Sequence, residues 1–265
     1  MNITYDARDF QSSDFGDLPN WKLDDLYPGE DSPELTKDMD WLRGEAASFA
    51  SDYEGKLADL DAAGMLNCIT RKEAMSSVSG RIMSFAYLRY AQNTTDPARS
   101  KFLGDMQNEI TEITTPLVFF SLEFNRIEDA TYEAWMADNA DLARYRPALD
   151  RMRAMKPYQL SDELEKFLHD QSVVGAAAWN RLFDETNAGL KFEIDGEEMG
   201  IEAVLNLQSD TDRAKREASS HELARVFQDN IGLFARITNT LAKEKAIEDK
   251  WRGLPTPQSG RHIAN

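Results

Sequence analysis

The segment that comes nearest to a catalytic motif is His221-Glu222-Leu223-Ala224-Arg225. In the H-E-x-x-H motif of zinc sites, two histidines four positions apart on a helix place both imidazoles on the face toward the metal, and the intervening glutamate acts as general base. Here Arg225 stands at the second histidine position, and a permanent cation there would repel zinc. We therefore predict that His221 is a solvated or capped residue on a helix surface, beside ordinary i,i+4 neighbours.

The other residues that carry chemistry are few and scattered. His169 and His262 complete the three histidines of the sequence, and each is more simply a surface or partly buried residue than a ligand. Adjacent acids such as Asp184-Glu185 and Glu197-Glu198 are expected by chance among 47 acidic residues, and paired carboxylates perform acid–base chemistry only where their pKa values are pushed apart. The single cysteine, Cys68, suits a small buried hydrophobe. We assign no catalytic, cofactor-binding or metal-binding residue.

The elements that must position these side chains are mainly helical. Glycine (14) and proline (9) are sparse, which favours long helices. Apolar residues recur at steps of three and four over residues 35–53 and 102–124, which predicts two amphipathic helices, the second kinked at Pro116. Thr70 with Glu73 has the spacing of a capping box, which predicts a helix start there. Further helical stretches are predicted at 129–138, 140–155, 162–171 and 175–189.

One segment departs from the helical pattern. Lys191 to Ile194 and Glu197 to Met199 flank Asp195-Gly196, the strongest short signal for a hairpin. Helical spacing resumes over residues 211–251, with a break near Asp229-Asn230. The sequence therefore predicts a mainly α fold with one small β-hairpin near 191–199, preceded by a flexible arm over residues 1–20.

The overall charge excludes several classes of partner. The formal net charge is −17, and affinity for nucleic acid comes largely from lysine and arginine on phosphates, so a nucleic-acid partner is excluded. An anionic membrane surface is excluded for the same reason. No uninterrupted apolar segment approaches 18 residues. The first twenty residues lack a basic region followed by an apolar run, which predicts a protein without a secretory signal, located in the cytoplasm.

Several stretches, in a shared order and spacing, resemble oligoendopeptidase F, a branch of the thimet-oligopeptidase-like zinc metallopeptidases. The stretches are residues 21–28 (WKLDDLYP), 93–97 (NTTDP), 116–123 (PLVFFSLE), 145–147 (YRP), 160–165 (LSDELE), 179–186 (WNRLFDET), 239–243 (NTLAK), 251–257 (WRGLPTP) and 261–262 (RH). They span nearly all of the chain from about residue 20 onward. The resemblance implies a helical amino-terminal domain over residues 21–190, with the hairpin and the start of the peptidase domain over residues 191–265.

The resemblance also implies what the chain lacks. In the family, H-E-x-x-H and a later glutamate hold Zn²⁺, which activates water against the peptide bond, and short peptides lie in a cleft between two helical halves. That motif falls after the point where this sequence ends, so we expect a fragment that supplies scaffold and cleft wall, binds no zinc by itself, and partners the missing catalytic half. The alternative is a stand-alone helical binding or adaptor module without catalysis.

Overall fold

The computed structural model describes residues 22–264, so the predicted arm over residues 1–20 lies outside the described part of the chain. The described residues form a mainly helical fold with one hairpin, which confirms the predicted fold class. In chain order, the elements are α1 (Pro33–Tyr53), α2 (Ala62–Ala91), α3 (Pro97–Thr114), α4 (Phe119–Arg126), α5 (Asp129–Asp138), α6 (Ala140–Ala143), α7 (Arg146–Arg153), α8 (Asp162–Gln171), α9 (Ala176–Gly189), β1 (Phe192–Ile194), β2 (Glu197–Met199), α10 (Ile201–Leu207), α11 (Arg213–Asp229), α12 (Ile231–Arg252) and α13 (Ser259–Ala264).

Prolines divide the helices as their chemistry requires. α3 ends at Thr114, one 3-10 turn covers Thr115–Val118, and α4 begins at Phe119. Pro116 has no amide hydrogen and its ring clashes with the carbonyl four residues earlier, so a regular helix cannot pass through it. The predicted kink is confirmed. The stretch predicted at 140–155 is two short helices, because Pro147 lies at the start of α7, where a proline is tolerated.

The helix start predicted at Thr70 is wrong. α2 begins at Ala62, where the side chain of Asp61 accepts a hydrogen bond from the Gly64 amide at 2.7 Å. Thr70 therefore lies inside α2, and its hydroxyl donates to the Asn67 carbonyl at 3.0 Å. An aspartate at the N-cap satisfies the free amides of the first turn as well as a threonine does.

Two large hydrophobic clusters organise the described residues, beside a small third cluster of Ala86, Tyr90 and Leu103. The first extends from Leu23 to Leu149 and joins α1 through α7. The second begins at Leu190 and joins the hairpin, α10 and α11 through Phe192, Val204 and Val226. The second cluster begins where the peptidase domain is predicted to start, and the division into two domains at residue 190 remains a prediction.

The hairpin has the geometry that its turn sequence dictates. Asp195 and Gly196 both have positive φ, 56° and 82°, as a two-residue turn matched to the strand twist requires. The strands pair antiparallel, with Phe192 opposite Met199 and Ile194 opposite Glu197. Phe192 and Ile194 are buried in the second cluster. The predicted hairpin is confirmed.

The last two long helices are α11 and α12, and Phe234 of α12 packs against the second cluster. They meet at Asn230, near the predicted break, and α12 packs against α9. A carboxylate oxygen of Glu244 on α12 accepts a hydrogen bond from the Ala176 amide at the start of α9 at 3.2 Å. α12 ends at Gly253, whose φ of 69° terminates the helix in the left-handed conformation. Among residues 22–264, no helix combines the length and apolar character that a membrane span requires.

Candidate functional site

The neighbours of His221 on α11 form a surface ion-pair network. His221 is exposed on α11. Arg225 donates two hydrogen bonds to Glu222 at 2.7 Å and one to Asp229 at 3.0 Å. Glu222 also accepts the Glu193 amide of β1 at 2.9 Å. The Arg225 hydrogen bonds, and then that amide, lower the pKa of Glu222 to about 2. A carboxylate held ionised in this way fastens the hairpin to α11 and is a poor general base.

The other candidate residues lie apart on separate elements. His169 is on α8, and His262 is exposed on α13. Glu185 accepts the Ser100 hydroxyl at 2.7 Å, so it links α9 to α3. Cys68 is fully buried, and burial raises the pKa of its thiol to about 12, as expected for a small hydrophobe. Within residues 22–264, no three His, Cys, Asp or Glu side chains converge where they could hold a metal ion. The described residues therefore do not fit the zinc that the resemblance implies.

A cavity of about 210 Å³ lies where α2, α3, the 3-10 turn, α4, α7 and α8 meet. Its walls combine apolar and polar side chains, which are Lys72, Met75, Ser76, Ser79, Thr114, Leu117, Val118, Ser121, Met152 and His169. The α2 members stand at positions i, i+3, i+4 and i+7, so they share one helix face. That spacing is the sequence signal that could have indicated a shared face.

The polar groups of the cavity have defined hydrogen-bond directions. The Thr114 hydroxyl lies 2.8 Å from the Ile110 carbonyl oxygen. Because a carbonyl oxygen can only accept, the hydroxyl donates its hydrogen to that oxygen. His169 Nε2, 3.2 Å from the same hydroxyl oxygen, must then be the donor. The Ser79 and Ser121 hydroxyls donate to backbone carbonyls, each at 3.1 Å. No serine of the cavity is hydrogen-bonded to His169 among the described residues, so the cavity holds no hydrogen-bonded nucleophile–base pair there.

Lys72 is the unusual residue of this cavity. It is half-buried, and its ammonium lies 5.4 Å from the centroid of the Phe120 ring. Burial lowers the pKa of Lys72 below its ordinary value. Among residues 22–264, no carboxylate forms an ion pair with its Nζ. The preceding residue, Arg71, instead bonds Glu45 at 2.7 Å and Asp52 at 2.8 Å.

Comparisons with known proteins agree with the resemblance. The family model described as Oligopeptidase F matches residues 123–192. The chain is 23% identical to oligopeptidase PepF of Bacillus subtilis (strain 168) over 185 residues, which are 70% of this chain and 27% of that protein. It is 22% identical to the group B oligopeptidase PepB of Streptococcus agalactiae (serotype III, strain NEM316) over 208 residues, 76% of this chain and 34% of that protein.

A solved structure shares the fold. Oligoendopeptidase-F from Enterococcus faecium superposes with a TM-score of 0.75 at 21% sequence identity, covering 86% of this chain and 46% of that chain. The chain thus spans about a third or less of the curated relatives and under half of the solved one. The comparisons confirm the predicted resemblance to the amino-terminal part of an oligoendopeptidase F-like peptidase.

Proposed function

We propose that this chain, which is similar to the amino-terminal part of an oligoendopeptidase F-like peptidase, supplies the scaffold and one wall of a cleft for short peptides. The observation that carries the proposal is the fold agreement with oligoendopeptidase-F over 86% of the chain. The relatives are named oligopeptidases, and peptides are the corresponding ligands here. We also propose that zinc is bound by a catalytic half outside this chain. A cytoplasmic location is part of the same proposal.

An apolar surface on α8, α9 and α12 supports a partner half. Phe167 on α8 is 58% exposed, Val174 before α9 is 69% exposed and Trp251 on α12 is 65% exposed. Ile247 on α12 is also about half exposed. A monomeric protein seldom leaves several large apolar side chains on neighbouring elements in water. We propose that the catalytic half covers this surface, named here the α8–α9–α12 face.

Zinc content and peptide cleavage test whether the catalytic residues lie outside this chain. We expect the chain alone to retain no stoichiometric zinc after dialysis and to leave a quenched fluorescent peptide uncleaved, because Arg225 replaces the second histidine and Glu222 is engaged with β1. Tight one-to-one zinc binding together with chelator-sensitive cleavage would contradict the proposal.

The reading frame beyond the codon for Asn265 tests the partner half. An open frame with H-E-x-x-H within a few hundred codons supports the proposal. A stop codon directly after Asn265 would instead favour the stand-alone binding or adaptor module.

A further inference from the structure

We propose that the cavity between α2, the 3-10 turn and α8 binds the carboxylate of a small monoanionic ligand, with Lys72 as its counter-ion. The cavity is formed by six segments, five of which belong to the first hydrophobic cluster, and we assign it no part in the peptide cleavage proposed above. Its walls supply one ammonium group, serine hydroxyls and apolar side chains. The proposal is independent of whether the chain has a catalytic partner.

Charge is the first argument. The sequence holds 47 acidic side chains against 30 lysines and arginines, so a basic residue has many possible partners. Many of the other described basic residues, such as Arg71, Arg81 and Arg89, do pair with acids. Lys72 loses part of its hydration by burial and gains no carboxylate among residues 22–264; the Phe120 ring compensates only in part. An anionic ligand would supply the missing charge.

The number of donors selects a monoanion. The Lys72 ammonium offers three N–H donors. Ser76 adds a hydroxyl that no described backbone carbonyl accepts, whereas Ser79 and Ser121 donate to carbonyls. His169 uses its Nε2 hydrogen on Thr114, so that hydrogen is not available to a ligand. One cation with a few donors matches a carboxylate, while a phosphate dianion calls for more charge and favours arginine.

The apolar walls select the rest of the ligand. Met75, Leu117, Val118 and Met152 line the cavity beside Lys72. Its volume of about 210 Å³ lies below the roughly 300–1,000 Å³ of pockets for drug-sized ligands. The body is therefore a short aliphatic group of a few carbon atoms, for which we take a branched chain as the example. Two sources have this chemistry, a free branched-chain carboxylic acid and the carboxyl terminus of a peptide that ends in an aliphatic residue.

Calorimetric titration with two matched pairs of compounds tests the proposal. The free-acid pair is 4-methylpentanoate and 4-methylpentanamide, and the peptide pair is acetyl-glycyl-leucine and its carboxamide. We expect at least one carboxylate to bind with one-to-one stoichiometry, and its amide to bind at least tenfold more weakly because it carries no charge for Lys72. Tighter binding of 4-methylpentanoate identifies the free acid as the source. Tighter binding of acetyl-glycyl-leucine identifies the peptide terminus, and either result supports the site.

Variants tie the binding to this cavity. Lys72→Met should weaken the carboxylate at least tenfold, while Lys37→Met, which removes a charge from an exposed position of α1, should leave it within twofold. Ser79→Leu keeps Lys72 and fills the cavity, so it should also abolish binding, and this second variant decides if Lys72→Met fails to fold. Equal binding of acid and amide, unchanged binding in either cavity variant, or no binding of either carboxylate would overturn the proposal. These outcomes are separate from the zinc and cleavage measurements, so this proposal and the proposed function can fail independently.

Discussion

At the scale of single residues, Glu222 has a structural role beside His221. Glu222 joins α11 to β1 through the Glu193 amide, and Arg225 keeps it ionised. His221 is exposed beside it. The contacts of this segment in the described residues are therefore structural, and we expect the glutamate to be the residue that matters for stability.

Alanine substitutions separate the two roles. His221→Ala should change the free energy of unfolding by no more than about 0.5 kcal/mol, as for a surface residue. Glu222→Ala should cost about 1 kcal/mol, because the Glu193 amide loses its acceptor. Urea denaturation at pH 7 measures both, and hydrogen exchange should show a faster Glu193 amide only in the second variant. A larger loss from His221→Ala would mean that the histidine has an unseen partner.

At the scale of elements, a bidentate ion pair connects the end of α12 to α8. Arg252 donates to the two oxygens of Glu165 at 2.6 and 2.9 Å, and the Leu160 amide donates to Glu165 at 2.9 Å. The side chains are only 11% and 14% exposed. Burial opposes ionisation of Glu165, but the hydrogen bonds from Arg252 and Leu160 hold its pKa below the usual value.

Removal of Arg252 tests this joint and its pH dependence. Arg252→Met should cost about 3 kcal/mol at pH 7, because it leaves a largely buried carboxylate without its partner. A depressed pKa contributes stability above the unfolded value of 4.5, and that contribution is lost as the pH falls through the folded value. The difference between wild type and variant should therefore shrink below pH 4.5.

Urea titrations from pH 7 down to pH 3 measure this difference. Lys250→Met, an exposed position in the same helical turn, is the matched control and should remain close to wild type throughout. A difference that stays constant with pH would show that Arg252 acts by packing alone.

At the scale of the whole molecule, α12 is only partly covered. Ile237 is buried, and Phe234 packs against Phe183 and Phe227 at centroid distances of 5.7 and 5.6 Å. Ile247 and Trp251 are exposed farther along the helix. The first half of α12 thus has its neighbours within the chain, while the second half, with α8 and α9, forms the uncovered α8–α9–α12 face.

The α8–α9–α12 face should behave as an unfilled interface. We expect the chain to bind a hydrophobic dye and to self-associate at micromolar concentration, because uncovered apolar area favours association. Trp251→Gln should lower dye fluorescence at least twofold, and Trp41→Gln, at a 40% exposed tryptophan of α1, should not. Amide exchange should be faster over residues 238–252 than over residues 102–124. Equal protection in a monomer without dye binding would remove the physical support for a partner half.

Short-range patterns in the sequence determined the helices and the hairpin. The apolar spacing over residues 35–53, the missing amide hydrogen of Pro116 and the positive φ values at Asp195-Gly196 act within a few residues, so they can be predicted locally. The start of α2 could not be predicted locally, because Asp61 and Thr70 are both competent caps. Burial of Met65 and Cys68 favours the earlier start.

Only the tertiary structure decided the candidate site. Lys72 meets Thr114, Met152 and His169 across separations of 42 to 97 residues in the sequence, and no local pattern specifies those neighbours. Whether a lysine has an acidic partner depends on which distant elements pack beside it. Periodicity fixes the face of a helix on which a side chain lies, whereas long-range packing determines what that face contacts, because side-chain contacts and burial form only when the helices assemble.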